Sequence, residues 1–196
     1  MSLSMIHPQP VIGLDVDGVL ADLVQAVLDA VHQRTGKRFF PEDVQRFDLK
    51  STLGELWTVA HDVLTQPDFV RSLPPYPYAI EGVHRLRQLG RVVFVTTPFA
   101  PNPTWSHERS QWLEHHTGAP HHDIAHITDK TLFCGHLLID DSPAQLQAWT
   151  ATQRPAIRVV RPWKHDAPGL PARDWHEIVA LTAQLLDSPS SRQDPH

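Results

Sequence analysis

Val11-Ile12-Gly13-Leu14-Asp15-Val16-Asp17-Gly18-Val19-Leu20-Ala21-Asp22 is the stretch on which the reading of this chain turns. A short apolar run ends in two carboxylates spaced i and i+2, and a glycine follows at once. An extended chain repeats every two residues, so Asp15 and Asp17 leave a strand end on one side. Gly18 permits a sharp turn beside them. Two acids held together there are poorly suited to a core and well suited to a cation.

Outward from this stretch the pattern changes period. Leu23, Val24, Val27, Leu28 and Val31 fall on one helical face that ends near Gly36. Thr52-Leu53-Gly54-Glu55 has the form of a capping box, with a helical stripe expected from Leu53 to about Thr65. Leu73-Pro74-Pro75-Tyr76-Pro77-Tyr78 is a stiff connector that no helix interior tolerates. After it, helices and strands alternate. A helix from Ile80 stops at Gly90, and Val92 to Thr97 is a β-rich run with a polar end. Trp105, Arg109, Trp112 and Leu113 share a helical face. Asp123 to Thr128 is a weaker strand, and His136 to Asp141 is a buried-type strand ending in acids. Ser142-Pro143 suits the start of a helix, Ala156 to Val160 is read as the last strand, and Asp174 opens a final helix.

Such alternation implies α/β class: a three-layer, Rossmann-like core with a parallel sheet. The expected division is a core of residues 1–20 and 79–187, a small, mostly helical cap at 21–78 inserted after the first strand, and a frayed polar tail at 188–196.

The bulk numbers narrow the function classes. The chain has 196 residues, 41% hydrophobic and 20% charged, as an ordinary globule does. A formal charge of -5 argues against a nucleic-acid polymer as partner. Cys134 is the lone cysteine, so no intramolecular disulfide framework exists and a cytoplasmic setting is expected. Its expected state is a buried structural thiol. No apolar run approaches the ~20 residues of a membrane span, and the N-terminus lacks the pattern of a secretory signal. His115, His116, His121, His122 and His126 lie close together but straddle a polar turn, where solvated histidines are expected.

In open parallel sheets, ligands bind beyond the carboxyl ends of the strands. The polar residues that close these strands are Asp15 and Asp17, Thr96 and Thr97, and Asp140 and Asp141, with Lys130 in the loop before the last pair. Carboxylates with a hard cation, plus an ammonium and hydroxyls for phosphate oxygens, suit phosphoryl transfer. Asp15 is placed to attack phosphorus, and Asp17 to protonate the leaving alkoxide.

At these residues the chain resembles the haloacid dehalogenase superfamily, whose four motifs occur here in order. The closer resemblance is to the 5'(3')-deoxyribonucleotidase family. It is carried by Asp15-Val16-Asp17-Gly18-Val19-Leu20-Ala21-Asp22, Thr96-Thr97-Pro98, Asp129-Lys130-Thr131 and Leu137-Leu138-Ile139-Asp140-Asp141-Ser142-Pro143, and spans about residues 10–150. This resemblance implies Mg²⁺-dependent phosphomonoester hydrolysis through an aspartyl-phosphate on Asp15. It further implies Mg²⁺ on the Asp15 and Asp141 side chains and the Asp17 carbonyl, Asp140 as a supporting acid, and phosphate on Thr96, Thr97 and Lys130. The implied substrate is a nucleoside monophosphate. Two positions depart from the family pattern. Gln45-Arg46-Phe47-Asp48-Leu49 stands where an Arg-Gly-Phe-Trp-type stretch is expected, and Arg109 stands for a lysine. Leu23, Phe47 and Arg109 are the candidate substrate-pocket residues.

Other readings stay open. The substrate is another small phosphorylated metabolite in one, and in another the chain is a non-catalytic nucleotide-binding regulator. A phosphoacceptor receiver domain gathers similar groups, but its lysine comes last and it has no insertion after the first strand. Oligomeric state is open between monomer and homodimer.

Overall fold

The computed structural model describes residues 9–163 and 166–187, so the tail at 188–196 lies outside the described residues. Six parallel strands form one sheet in the order β3-β2-β1-β4-β5-β6. They are β1 (Val11–Leu14), β2 (Arg91–Thr96), β3 (Ile124–His126), β4 (Leu137–Asp140), β5 (Ala156–Val159) and β6 (Leu170–Ala172). Strand order reverses between β1 and β4, and the crevice beyond their carboxyl ends is the natural ligand site of such a sheet. The helices are α1 (Leu23–Thr35), α2 (Leu49–Leu53), α3 (Trp57–Leu64), α4 (Ala79–Leu89), α5 (Trp105–Thr117), α6 (Pro143–Ala151) and α7 (Trp175–Asp187).

The pleat assigns each strand residue to a face. Leu137 and Ile139 of β4 join Ile12, Leu14 and Phe94 in a cluster closed by Val83 and Leu86 of α4, Trp112 of α5 and Ile178 of α7. Leu138, between them in sequence, packs on the other face with Leu146 and Trp149 of α6. The expected three-layer parallel architecture is the observed one.

Residues 21–78 contain α1, α2 and α3 and no strand beyond isolated bridges. Their apolar cluster joins Val27, Leu28 and Val31 to Ala60, Leu64 and Val70, and it takes in Trp105 and Trp163 from outside the segment. Glu108 of α5 reaches into the same segment. Its carboxylate is buried and accepts from Asp68 N at 2.9 Å and Val70 N at 3.2 Å.

Four expectations are corrected. The expected capping box at Thr52 does not form, because Asp48 is the cap: it accepts from Lys50 N at 2.9 Å, and α2 runs to Leu53. Gly54, at φ 55, breaks the expected continuous helix. Val160 does not end the sheet either, since β6 adds a sixth strand. Pro171 hid it, yet a proline is tolerated on an edge strand that pairs on one side only. Cys134 is exposed, not buried. It lies in the turn Phe133–Gly135, where Phe133 takes the inward position against Trp149.

Leu138→Ala removes a side chain with no exposed area from between Leu146 and Trp149. The expected cost is about 2–5 kcal/mol of unfolding free energy, measured by urea denaturation. A loss below about 1 kcal/mol would mean that this face of the sheet is not closed as described.

Candidate active site

The end of β1 is pinned to the end of β4: Asp15 N donates to Ile139 O at 2.9 Å. This places Asp15 beside Asp140 and Asp141, and one oxygen from each of the three buried acids lies within 4.8 Å of the others. Lys130 sits among them, 1% exposed. Its Nζ is 2.7 Å from Asp15 Oδ1 and 2.7 Å from Asp140 Oδ2. The lysine is delivered by a single 3-10 turn, Lys130–Leu132. Asp129 caps that turn by accepting from Thr131 N at 3.0 Å, and Gln145 of α6 braces it by donating to Thr128 O at 2.8 Å.

These acids differ in what they have left to offer. Both oxygens of Asp140 are engaged, one by Lys130 and the other by Ser142 N at 2.8 Å. Asp141 Oδ1 is buried and has no hydrogen-bond partner. Gly18, at φ 80, fits against this carboxylate so closely that a Cβ there would fall 2.2 Å from Asp141 Oδ2. The residue must be glycine for its backbone and for its space. Asp17 is paired with Arg109, which is fully buried on α5 with its guanidinium 5.8 and 5.5 Å from the ring centroids of Trp105 and Trp112.

Crowding sets the electrostatics. Burial, then the Asp140 charge, raise the Asp15 carboxyl from an ordinary 3.8 to about 7, with Lys130 pulling the other way. Asp141 is raised well above its usual range by burial and by Asp15 and Asp140. Burial raises Asp17 also, and Arg109 offsets part of this. Burial alone would lower the Lys130 ammonium, but Asp140 and Asp15 outweigh it and hold it above its usual range. Four acids therefore face two cations in direct ion pairs among the described residues. An unpartnered carboxylate oxygen in such surroundings is costly unless a further positive charge shares the site. Asp15 and Asp141 fit a hard divalent cation, which takes oxygen ligands.

Beside these acids opens a mainly apolar cavity of about 340 Å³. Asp17, Gly18 and Asp141 line it together with the aromatic rings of Phe47, Trp57, Phe99, Trp105 and Trp163. Of the expected site residues, the structure brings Asp15, Asp140, Asp141 and Lys130 into contact, with Asp17 next to them. Thr96 closes β2 with its hydroxyl buried and without a partner, and Thr97 lines the cavity while its hydroxyl donates to Ile127 O at 3.1 Å. Leu23 and Phe47 line the cavity; Arg109 does not, because its side chain is turned to Asp17. The histidine-rich segment forms no cluster of three or more metal-ligating groups among the described residues. Trp163 and Phe99 went unread in the sequence, because each lies in a loop where no period marks it.

Known proteins resemble this chain in sequence and in fold. The family profile described as "5' nucleotidase, deoxy (Pyrimidine), cytosolic type C protein" matches residues 9–186. A relative from Bordetella parapertussis with the provisional name 5'(3')-deoxyribonucleotidase is 35% identical over 178 residues, covering 85% of this chain and 94% of that protein. One from Staphylococcus epidermidis with the same name is 32% identical over 143 residues, covering 69% of this chain and 76% of its own. Among solved structures, a haloacid dehalogenase-like hydrolase from Burkholderia xenovorans superposes with a TM-score of 0.58 at 13% identity, covering 92% of this chain and all of that one. The L-2-haloacid dehalogenase of Xanthobacter autotrophicus gives 0.57 at 13% identity, over 88% and 98% of the two chains. These structural likenesses carry the fold alone. The family match covers both ends of the sheet and all four strand-end motifs, and the chain belongs to the deoxy (pyrimidine) 5' nucleotidase, cytosolic type C, family.

Proposed function

We propose that the protein is a Mg²⁺-dependent phosphomonoesterase that dephosphorylates nucleoside monophosphates, deoxyribonucleotides first, through an aspartyl-phosphate on Asp15. The observation that carries this reading is the buried Asp15-Lys130-Asp140 bridge, beside the unpartnered Asp141 and open to an aromatic cavity. Asp15 and Asp141 would hold Mg²⁺ with the Asp17 carbonyl. When bound, the ion supplies charge neutralisation between a phosphate dianion and the acids. Residues 21–78 act as a cap over the core formed by the rest. The lone cysteine keeps the cytoplasm as the expected compartment.

The residues divide the work. Lys130 has three donors, two of them committed to Asp15 and Asp140, and the third serves a phosphoryl oxygen. The buried Thr96 hydroxyl gives a second contact. Asp15 forms the new P–O bond as the ester P–O bond breaks, and Asp17 passes its proton to the departing alkoxide. Water then attacks phosphorus and yields its proton to Asp17, and the bond to Asp15 breaks to release phosphate. The raised Asp17 carboxyl, partly buried and balanced by Arg109, suits a group that must hold and lose a proton. The aromatic walls receive the base, with Phe47, half exposed at the rim, closing on it.

The first test is a panel of nucleotides and sugar phosphates assayed with Mg²⁺ and with EDTA. Phosphate release from nucleotides that EDTA abolishes is expected, and Asp15→Asn is expected to lower kcat by roughly a thousandfold or more. Turnover of no phosphomonoester by the parent protein would end this reading. Phe47→Ala is expected to raise KM for the preferred nucleotide roughly tenfold while changing kcat less. An unchanged KM would remove Phe47 from the pocket.

The same acids predict a pH effect on the metal-free protein. Asp15 holds a proton in the folded state up to about pH 7 and releases it near 3.8 when unfolded. Between these values the folded state binds more protons, so stability falls as pH rises. In EDTA the melting temperature is expected to fall from pH 5 to pH 8, and less so in Asp15→Asn. Mg²⁺ is expected to raise it most at pH 8. Thermal scans check this; a Mg²⁺ increment that shrinks as pH rises would contradict it.

A further inference from the structure

Two segments join residues 21–78 to the sheet, and they are hydrogen-bonded to each other. Asp22 N donates to Pro74 O at 2.9 Å, and Tyr76 N to Leu20 O at 2.8 Å. Ala21 is bridged antiparallel to Pro75. Asp22 also caps α1 by accepting from Gln25 N at 3.2 Å. The turn that begins this ribbon follows Asp17 directly, with Gly18 N donating to Ala21 O at 3.0 Å.

A third segment, the one that follows β5, holds the ribbon in place. Arg161 follows β5, and its guanidinium carbon lies 3.8 Å from the centroid of the Tyr76 ring. Its Nε donates to Gly18 O and its Nη2 to Val19 O at 3.3 Å. One planar group thus spans both connections, stacked on one and bonded to two carbonyls of the other. An ammonium cannot reproduce that geometry. Two residues later, Trp163 is buried in the apolar cluster of the inserted segment and meets Phe47 edge-on, with ring centroids 6.0 Å apart. The short stretch Arg161–Trp163 therefore touches the turn after Asp17, the return at Tyr76 and the aromatic wall of the cavity.

We infer that Arg161 is a positioning residue: by pinning the ribbon of residues 18–22 and 74–76 it fixes the turn that places Asp17 against the substrate. This rests on the proposed proton-transfer role of Asp17. Arg161 itself touches no reacting atom. Its loss leaves the acids, Lys130 and the cavity walls in place but frees the turn, and a shift of the order of 1 Å at a reacting group can cost roughly a hundredfold in rate.

The test uses the full chain with Arg161→Met, Arg161→Lys and, as a control, Arg87→Met. Arg87 also bonds a carbonyl, Thr117 O at 2.6 Å, but far from the site. In metal-free protein, hydrogen exchange at the amides of residues 18–22 and of Tyr76 is expected to speed up about tenfold in both Arg161 variants, with β4 unchanged. On a nucleotide, kcat is expected to fall roughly ten- to a hundredfold with KM within about threefold of the parent. Arg87→Met is expected to keep both values. Unchanged exchange in the ribbon, an unchanged kcat, or full recovery of kcat by Arg161→Lys would each overturn the inference. Should Arg161→Met not fold, Arg161→Lys carries the same readouts. Should the parent protein turn over no phosphomonoester, the phosphatase reading fails by itself and the exchange measurement still decides this one.

Discussion

The ammonium of Lys130, held at 2.7 Å from both Asp15 and Asp140 with almost no exposure, is the interaction on which the rest of the site depends. Carboxylates buried at the ends of neighbouring strands repel each other, and a parallel sheet whose order reverses at β1 and β4 forces them together. Lys130 relieves part of this repulsion, while burial first and the neighbouring acids second still raise the Asp15 and Asp141 carboxyls. That residue of negative charge is a binding capacity for a cation. Asp140 has both oxygens engaged, Asp15 shares one with Lys130, and Asp141 Oδ1 has no partner. The division of labour among acids of one residue type follows from which neighbours reach them.

The strand-end motifs were legible because their chemistry is local. Two acids and a glycine after an apolar run, or two acids before a Ser-Pro, need no partner to be recognised, and the sheet brings them together as the alternation of elements implies. Arg109 shows where such reading stops. Its helical face was visible beside Trp105 and Trp112, but its direction was not, and it turns to Asp17 instead of the cavity. The edge strand Leu170–Ala172 was hidden by its proline, and the capping of α2 by Asp48 outcompeted the box expected at Thr52. Cys134 was misread because one turn residue, Phe133, fills the inward place. In each case the deciding contact lies far along the chain or depends on one side-chain rotamer.

The cavity is a joint product of the sheet's loops and the inserted segment. Leu23, Phe47 and Trp57 come from the insertion, and Phe99, Trp105 and Trp163 from loops and a helix of the core. Glu108 fastens the returning limb to α5 through the Asp68 and Val70 amides, one residue from the arginine that pairs with Asp17. The fastening of the returning limb and the cation paired with Asp17 thus come from neighbouring residues on one helix.

In the proposed reaction, Asp15 carries the phosphoryl group between two displacements. Borohydride trapping during turnover of a nucleotide, followed by peptide mass spectrometry, tests it most directly. The account predicts reduction at Asp15 alone, dependent on substrate and absent in EDTA. Steady phosphate release with no reduced Asp15 peptide, or reduction at Asp17 or Asp141 instead, would contradict it.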